Sequence, residues 1–144
     1  MSNTKQALRM DGRTAAPGVE YVSVAPATSA HPRNDSASLV ELPDGTLLIA
    51  WIEMHASDLG GHDTAPSSIA SMRSSDGGRT WGGHRIEVSP GPGDLSVYNP
   101  SLIVLPGGDL LMLVVVYHYL VWDEPLDASG LLWRSCDGGR TWSV

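Results

Sequence analysis

The sequence predicts an all-β chain built from a duplicated four-stranded antiparallel sheet, and three observations carry that prediction. The 16 glycines and 10 prolines among 144 residues fall between short apolar runs, which marks frequent turns rather than long helices. Those runs are rich in Val, Ile, Leu and Trp, residues that suit a pleated, half-buried surface. Most telling, the turn Ser74-Ser-Asp-Gly-Gly-Arg-Thr-Trp81 returns as Ser135-Cys-Asp-Gly-Gly-Arg-Thr-Trp142. Asp76 and Asp137 stand 61 residues apart, and a second landmark, Leu42 and Leu105, stands 63 apart. Two landmarks agreeing this closely imply duplication of a whole unit. A four-stranded antiparallel sheet repeated along a chain is the blade of a β-propeller.

Residues 1–18 are polar and aperiodic and read as a tail. Val19–Val24 has strand-type residues between Gly18 and Pro26 and is expected to be a strand. The first blade, about 34–89, follows. Ser36–Leu42 reads as a strand, Pro43-Asp44-Gly45 as a turn and Thr46–Ile52 as a buried strand. A polar loop is expected over Glu53–Ser67. Ser68–Ser74 forms the third strand, and Arg85–Val88 a short fourth beyond the repeated turn. The second blade, about 97–144, restarts with Asn99–Leu105, a Pro106-Gly107-Gly108-Asp109 turn and the long apolar strand Leu110–Tyr119. After a polar loop over Trp122–Ser129 comes the third strand, Gly130–Ser135, and then the second copy of the turn. Its fourth strand is expected beyond Val144, so about two blades are present and the second is incomplete.

The repeated turn has the pattern Ser-x-Asp-x-Gly-x-Thr-Trp, carried by Ser74, Asp76, Gly78, Thr80 and Trp81, then by Ser135, Asp137, Gly139, Thr141 and Trp142. An Asp carboxylate accepts hydrogen bonds from backbone N–H groups further along and so closes a tight turn. Glycine supplies a backbone conformation other residues resist. The Thr enters the next strand, and the Trp offers a large apolar surface to pack between sheets. The pattern resembles the Asp box of the sialidase (neuraminidase) superfamily. NDSASLVELPDGTLLIAWIE and YNPSLIVLPGGDLLMLVVVY likewise look like the opening blades of BNR-repeat proteins of that group. The resemblance covers about residues 30–144 and matches the N-terminal part of a propeller that usually has six blades. It implies that the box aspartates are structural and lie away from the central site. Because the box also occurs in non-enzymatic propellers, it speaks for fold more than for activity.

Sialidases bind the substrate carboxylate with three arginines, whose guanidinium forks match it in bidentate fashion. They use a Tyr paired with a Glu as nucleophile and an Asp as acid/base. The resemblance places the first arginine at the opening of the first blade. Alignment on Leu42-Pro43-Asp44-Gly45 puts Asp35 at that place, and Arg33 fills it only if the strand entry is two residues longer. Arg33 and Asp35 are therefore substrate-binding candidates, with Asn99 at the opening of the second blade as a third. The acid/base Asp belongs in the loop before the third strand. Asp63, six residues ahead of Ile69, holds that position and is the catalytic candidate. His55, Asp58, His62 and Asp63 share the loop, but their spacing matches no metal template, and neither metal nor cofactor is expected. Tyr117, His118 and Tyr119 read mainly as strand packing, and Trp122-Asp123-Glu124 as a candidate groove lining. Cys136 reads as a small filler at the variable second position of the box. By the resemblance, the nucleophilic Tyr, its Glu and the other arginines lie on later blades.

Charge narrows the partners. The formal net charge is −7 with a single lysine, Lys5, and no basic face, which argues against nucleic acid. An acidic surface does not steer anions inward, so an anionic sugar needs local arginines. One cysteine rules out an internal disulfide. No apolar leader opens the chain, and the stretch Leu110–Trp122 is too short to span a bilayer. The expectation is a cytoplasmic protein, or a secreted one if a leader precedes these residues. The resemblance implies a sialidase-like exo-glycosidase acting on a terminal, anionic sugar of a glycoconjugate, with this chain alone inactive. Two rivals stand beside it. One is a non-catalytic propeller that binds carbohydrate or protein. The other is a sialidase-fold polysaccharide lyase using His31, His55 or His62.

Overall fold

The computed structural model describes residues 20–59, 62–119 and 127–143. The sequence folds into two antiparallel sheets. The first contains β1 (Arg33–Glu41), β2 (Leu47–Met54), β3 (Ser67–Ser74) and β4 (Gly82–Val88), in that order. The second contains β5 (Ser96–Val104), β6 (Leu110–Tyr119) and β7 (Asp127–Ser135). After β7 the backbone of Ser143 bridges back to Arg134, which begins a fourth position in the second sheet. No described helix is long and apolar enough to cross a membrane.

Side chains alternate across a strand, so each sheet has two faces. Leu48, Ala50, Ile52 and Met54 of β2 project into one core with Leu110, Met112, Val114 and Val116 of β6. Each Leu, Ile, Met and Val side chain of this set contributes about 1.5–3 kcal/mol of burial. The repeat explains the stacking. Adding 63 maps the buried β2 set onto Leu111, Leu113, Val115 and Tyr117, the alternate positions of β6. The front of the first sheet therefore packs on the back of the second, and the front of the second leaves Leu113, Ile103 and Leu132 exposed. Polar clasps fix the stack. Ser67 Oγ donates to the Val97 carbonyl at 2.6 Å and accepts from its N–H at 3.2 Å. Ser38 Oγ accepts from Leu102 N–H at 3.0 Å. Arg73 Nη2 donates to the Gly138 carbonyl at 2.6 Å.

Several expectations are corrected. Glu20–Val24 forms no strand, and Tyr21 and Val22 are exposed. The chain just beyond is tethered instead by the side chain of Asn34, whose Nδ2 donates to the carbonyls of Ala25 and Pro26. The loop expected from Glu53 starts later, because Met54 is wholly buried in the core and the buried Glu53 carboxylate meets His84 Nε2 at 2.9 Å. β1, β4, β5 and β7 each begin three residues before the expected start. In β1 and β5 the cause is a bulge that breaks the alternation. Ser36 and Ala37 together oppose Trp51, and Asn99 and Pro100 together oppose Val114. Pro100 sits where no ladder N–H is needed.

Candidate functional site

The two bulges build the site. Ser36 and Asn99, equivalent by the 63-residue repeat, are the non-glycine residues with left-handed backbone among those described, at φ 48° and 54°. Asn adopts this region readily, whereas Ser holds it at a cost of order 1 kcal/mol. Both line a cleft of about 340 Å³ together with Arg33, Asp35, Ile52, Asp63, Tyr98 and Tyr117. The cleft lies where β1 and β5 begin and the β2–β3 loop passes over them.

Arg33 is its centre. Its Nε donates to Asp35 Oδ2, and its Nη1 donates to Asp63 Oδ1 at 2.5 Å. The guanidinium is pushed above its ordinary pKa, chiefly by the hydrogen bond to Asp63, against an opposing effect of burial and with help from Asp35. Tyr98 donates its hydroxyl to the backbone carbonyl of Asp63, fixing the loop that carries that carboxylate. Burial raises the Tyr98 pKa, so the ring stays a neutral donor. Tyr98 and Tyr117 meet edge to face with centroids 5.0 Å apart. Asn99 is exposed at the rim.

The structure thus brings Arg33, Asp35, Asp63 and Asn99 together in one cleft. Arg33 reaches it because β1 starts at that residue and the bulge adds length ahead of Ser38. Tyr98 and Tyr117 also line it, although sequence reasoning favoured packing for Tyr117 and gave Tyr98 no role. The repeat held a signal for one of them, since Tyr98 is the equivalent of Asp35. His31 and His55 lie elsewhere, in edge-to-face contact with each other at 5.9 Å, and His31 faces Glu53. His62 and Asp58 are exposed. Among the described residues no group of three or more His, Cys, Asp or Glu is placed to hold a metal ion. Trp122-Asp123-Glu124 lies outside the described residues.

The aspartate turns sit at the other end of the strands. Leu47 pairs with Ser74 at the turn, and Met54 pairs with Ser67 near the cleft. The eight residues of β2 therefore separate the two regions by roughly 23 Å. In the first turn Asp76 Oδ1 accepts from Thr80 N–H at 2.9 Å and from Ser74 Oγ at 2.8 Å, while Oδ2 accepts from Thr80 Oγ1 at 2.6 Å. Asp137 repeats this with Thr141 N–H at 2.9 Å, Ser135 Oγ at 2.7 Å and Thr141 Oγ1 at 2.6 Å. The hydroxyls of Thr80 and Thr141 do most to lower both carboxyls, Asp76 to about 2 and Asp137 further. Every oxygen of these carboxylates is engaged within its own turn, which is what a structural role requires.

Solved structures share this fold. A protein of unknown function from Dyadobacter fermentans superposes with a TM-score of 0.71 at 23% identity, over 90% of this chain and 40% of that one. A Hadza microbial sialidase, Hz136, superposes with a TM-score of 0.65 at 24% identity, over 79% of this chain and 25% of that one. The fold is sialidase-type. The chain spans less than half the length of either of these proteins. No protein-family model and no curated protein matches it. The cleft lies where the two neighbouring sheets present their first strands, and it combines an arginine with several polar side chains.

Proposed function

We propose that this chain carries part of the active site of a sialidase-like exo-glycosidase, which removes a terminal sugar from a glycoconjugate. The observation that supports it is the convergence of Arg33, Asp35, Asp63 and Asn99 on one cleft lined by two tyrosines. Asp63 is the proton donor and acceptor. Its side chain is 69% exposed, and Arg33 and the Tyr98 hydroxyl hold the residue in place from two sides. A positioned carboxyl of this kind protonates the glycosidic oxygen as the bond breaks, and later takes a proton from the attacking water. Asn99 and Ser36 offer neutral hydrogen-bonding groups to sugar hydroxyls, and the tyrosine pair offers a surface to the sugar's apolar face. By the resemblance, a nucleophilic Tyr, its Glu and further arginines stand on later sheets.

The test uses the natural protein and a panel of aryl glycosides. Asp63→Asn is expected to lower turnover by about 10²–10⁴ while leaving the unfolding midpoint in place. Unchanged turnover would overturn the assignment. The lyase alternative finds no support in the cleft, since among the described residues none of His31, His55 and His62 lines it.

A further inference from the structure

Resting on the glycosidase proposal, the charge of the cleft specifies which sugar it takes. Among the described residues, the titratable groups lining it are Arg33, Asp35, Asp63, Tyr98 and Tyr117. Among these groups, two carboxyl side chains face one guanidinium. The arginine, moreover, is already engaged. A guanidinium grips a carboxylate through a pair of N–H groups, either Nε with Nη2 along its side or Nη1 with Nη2 across its end. Asp35 occupies Nε and Asp63 occupies Nη1. Each gripping edge has therefore lost one of its two donors to a carboxylate of the protein. A carboxylated sugar would have to displace Asp35 or Asp63, or sit against both at close range in a chain of net charge −7.

We infer that the cleft selects a sugar without negative charge and prefers an amino sugar to its hydroxyl counterpart. The remaining lining suits such a ligand. Asn99 and Ser36 are uncharged, Tyr98 and Tyr117 present aromatic surface, and the two carboxylates accept hydrogen bonds from hydroxyl or ammonium groups. The anionic sugar implied by the resemblance gives way here to a neutral or cationic one.

The experiment is an NMR titration of the isotope-labelled chain with glucosamine, glucose and glucuronic acid at neutral pH and equal ionic strength. It is read on the side-chain amide of Asn99. Glucosamine is expected to bind more tightly than glucose, and glucose more tightly than glucuronate, with about tenfold between the extremes. Asp63→Asn, an exposed change that leaves the core untouched, removes one carboxylate and weakens the hold on Nη1, since an amide oxygen accepts less strongly than a carboxylate, so glucuronate should gain and the ranking narrow. Tightest binding of glucuronate by the unaltered chain would overturn the inference, and so would the absence of any Asn99 shift with all three sugars at their highest soluble concentration. The outcome separates from the glycosidase proposal. The predicted ranking without hydrolysis of any aryl glycoside by the natural protein sinks that proposal and leaves the charge selection standing. Hydrolysis confined to carboxylated glycosides sinks the charge selection alone.

Discussion

The two ends of the stacked sheets have diverged to different degrees. At the turn end, the first and second sheets carry the same residues at every position of the motif, and the two aspartates make the same three hydrogen bonds. At the cleft end the backbone is repeated and the side chains are not. Both first strands bulge at the same place, yet Arg33 corresponds to Ser96, Asp35 to Tyr98 and Ser36 to Asn99. Where a segment holds the fold together, its chemistry is the same in both copies. Where it faces a cavity, only the backbone path is. Even the turns differ once a neighbour intervenes. Trp81 donates to the carbonyl of Gly78 in its own turn at 2.9 Å, whereas Trp142 donates to Glu87 of the first sheet at 3.0 Å.

The sharpest way to break this comparison is at the cleft. Asp63→Asn should cost about 10²–10⁴ in turnover with little change in urea midpoint, because the side chain is exposed; a large loss of stability would show that the cleft end also supports the fold. In the shared core, Met112→Ala should destabilise by about 2–5 kcal/mol, read from chemical denaturation. The two turns can then be set against each other. Gly139 has φ 78°, and a Cβ there would lie 3.0 Å from Arg73 Nη2 and 3.3 Å from Leu110 and Leu48. Gly78 has φ 87°, but its nearest neighbour would be 3.5 Å away. Both alanine variants carry backbone strain of about 1–2 kcal/mol, and Gly139→Ala should be the worse of the two. Equal losses would mean that the second turn is not clamped by the first sheet. The smallest effect is with acid. Asp76 is lowered from 3.8 to about 2, so its ionised form stabilises the fold above the ordinary range. That contribution is lost as pH falls from about 4 through about 2, and Asp76→Asn should flatten the acid limb of the stability curve.

Most of the strand order was legible in the sequence, because the apolar runs and turn residues are local signals and the duplicated turn fixes the repeat. The openings of β1 and β5 were less so. Period-two alternation fails across a bulge, and Arg33-Asn34-Asp35 reads as a polar loop until Met54, Glu53 and Ile52 are seen opposite it. Glu20–Val24 shows the converse, since strand-type residues form no strand without a partner edge. Arg33, Asp35, Asp63 and Asn99 could be named from position in the repeat and from the resemblance. Their meeting could not, since it depends on two bulges and on a loop pinned by a tyrosine hydroxyl to a backbone carbonyl. Tyr117 packs against the core as the sequence reading has it, and the same strand also brings it to the cavity.

The bulges at Ser36 and Asn99 act as phase shifters. A strand that obeyed strict alternation from end to end would commit every second residue to the core, and a change made for chemistry at one end would be felt in packing along the whole strand. One left-handed residue resets the count. The portion of each strand before the bulge takes its own register relative to the portion after it, so the position just ahead of the bulge differs in charge and size between the sheets, Asp35 in one and Tyr98 in the other, while the register beyond it is the same in both. In this molecule that device has been used twice over the same framework, once to set an arginine between two acids and once to set a tyrosine beside an asparagine.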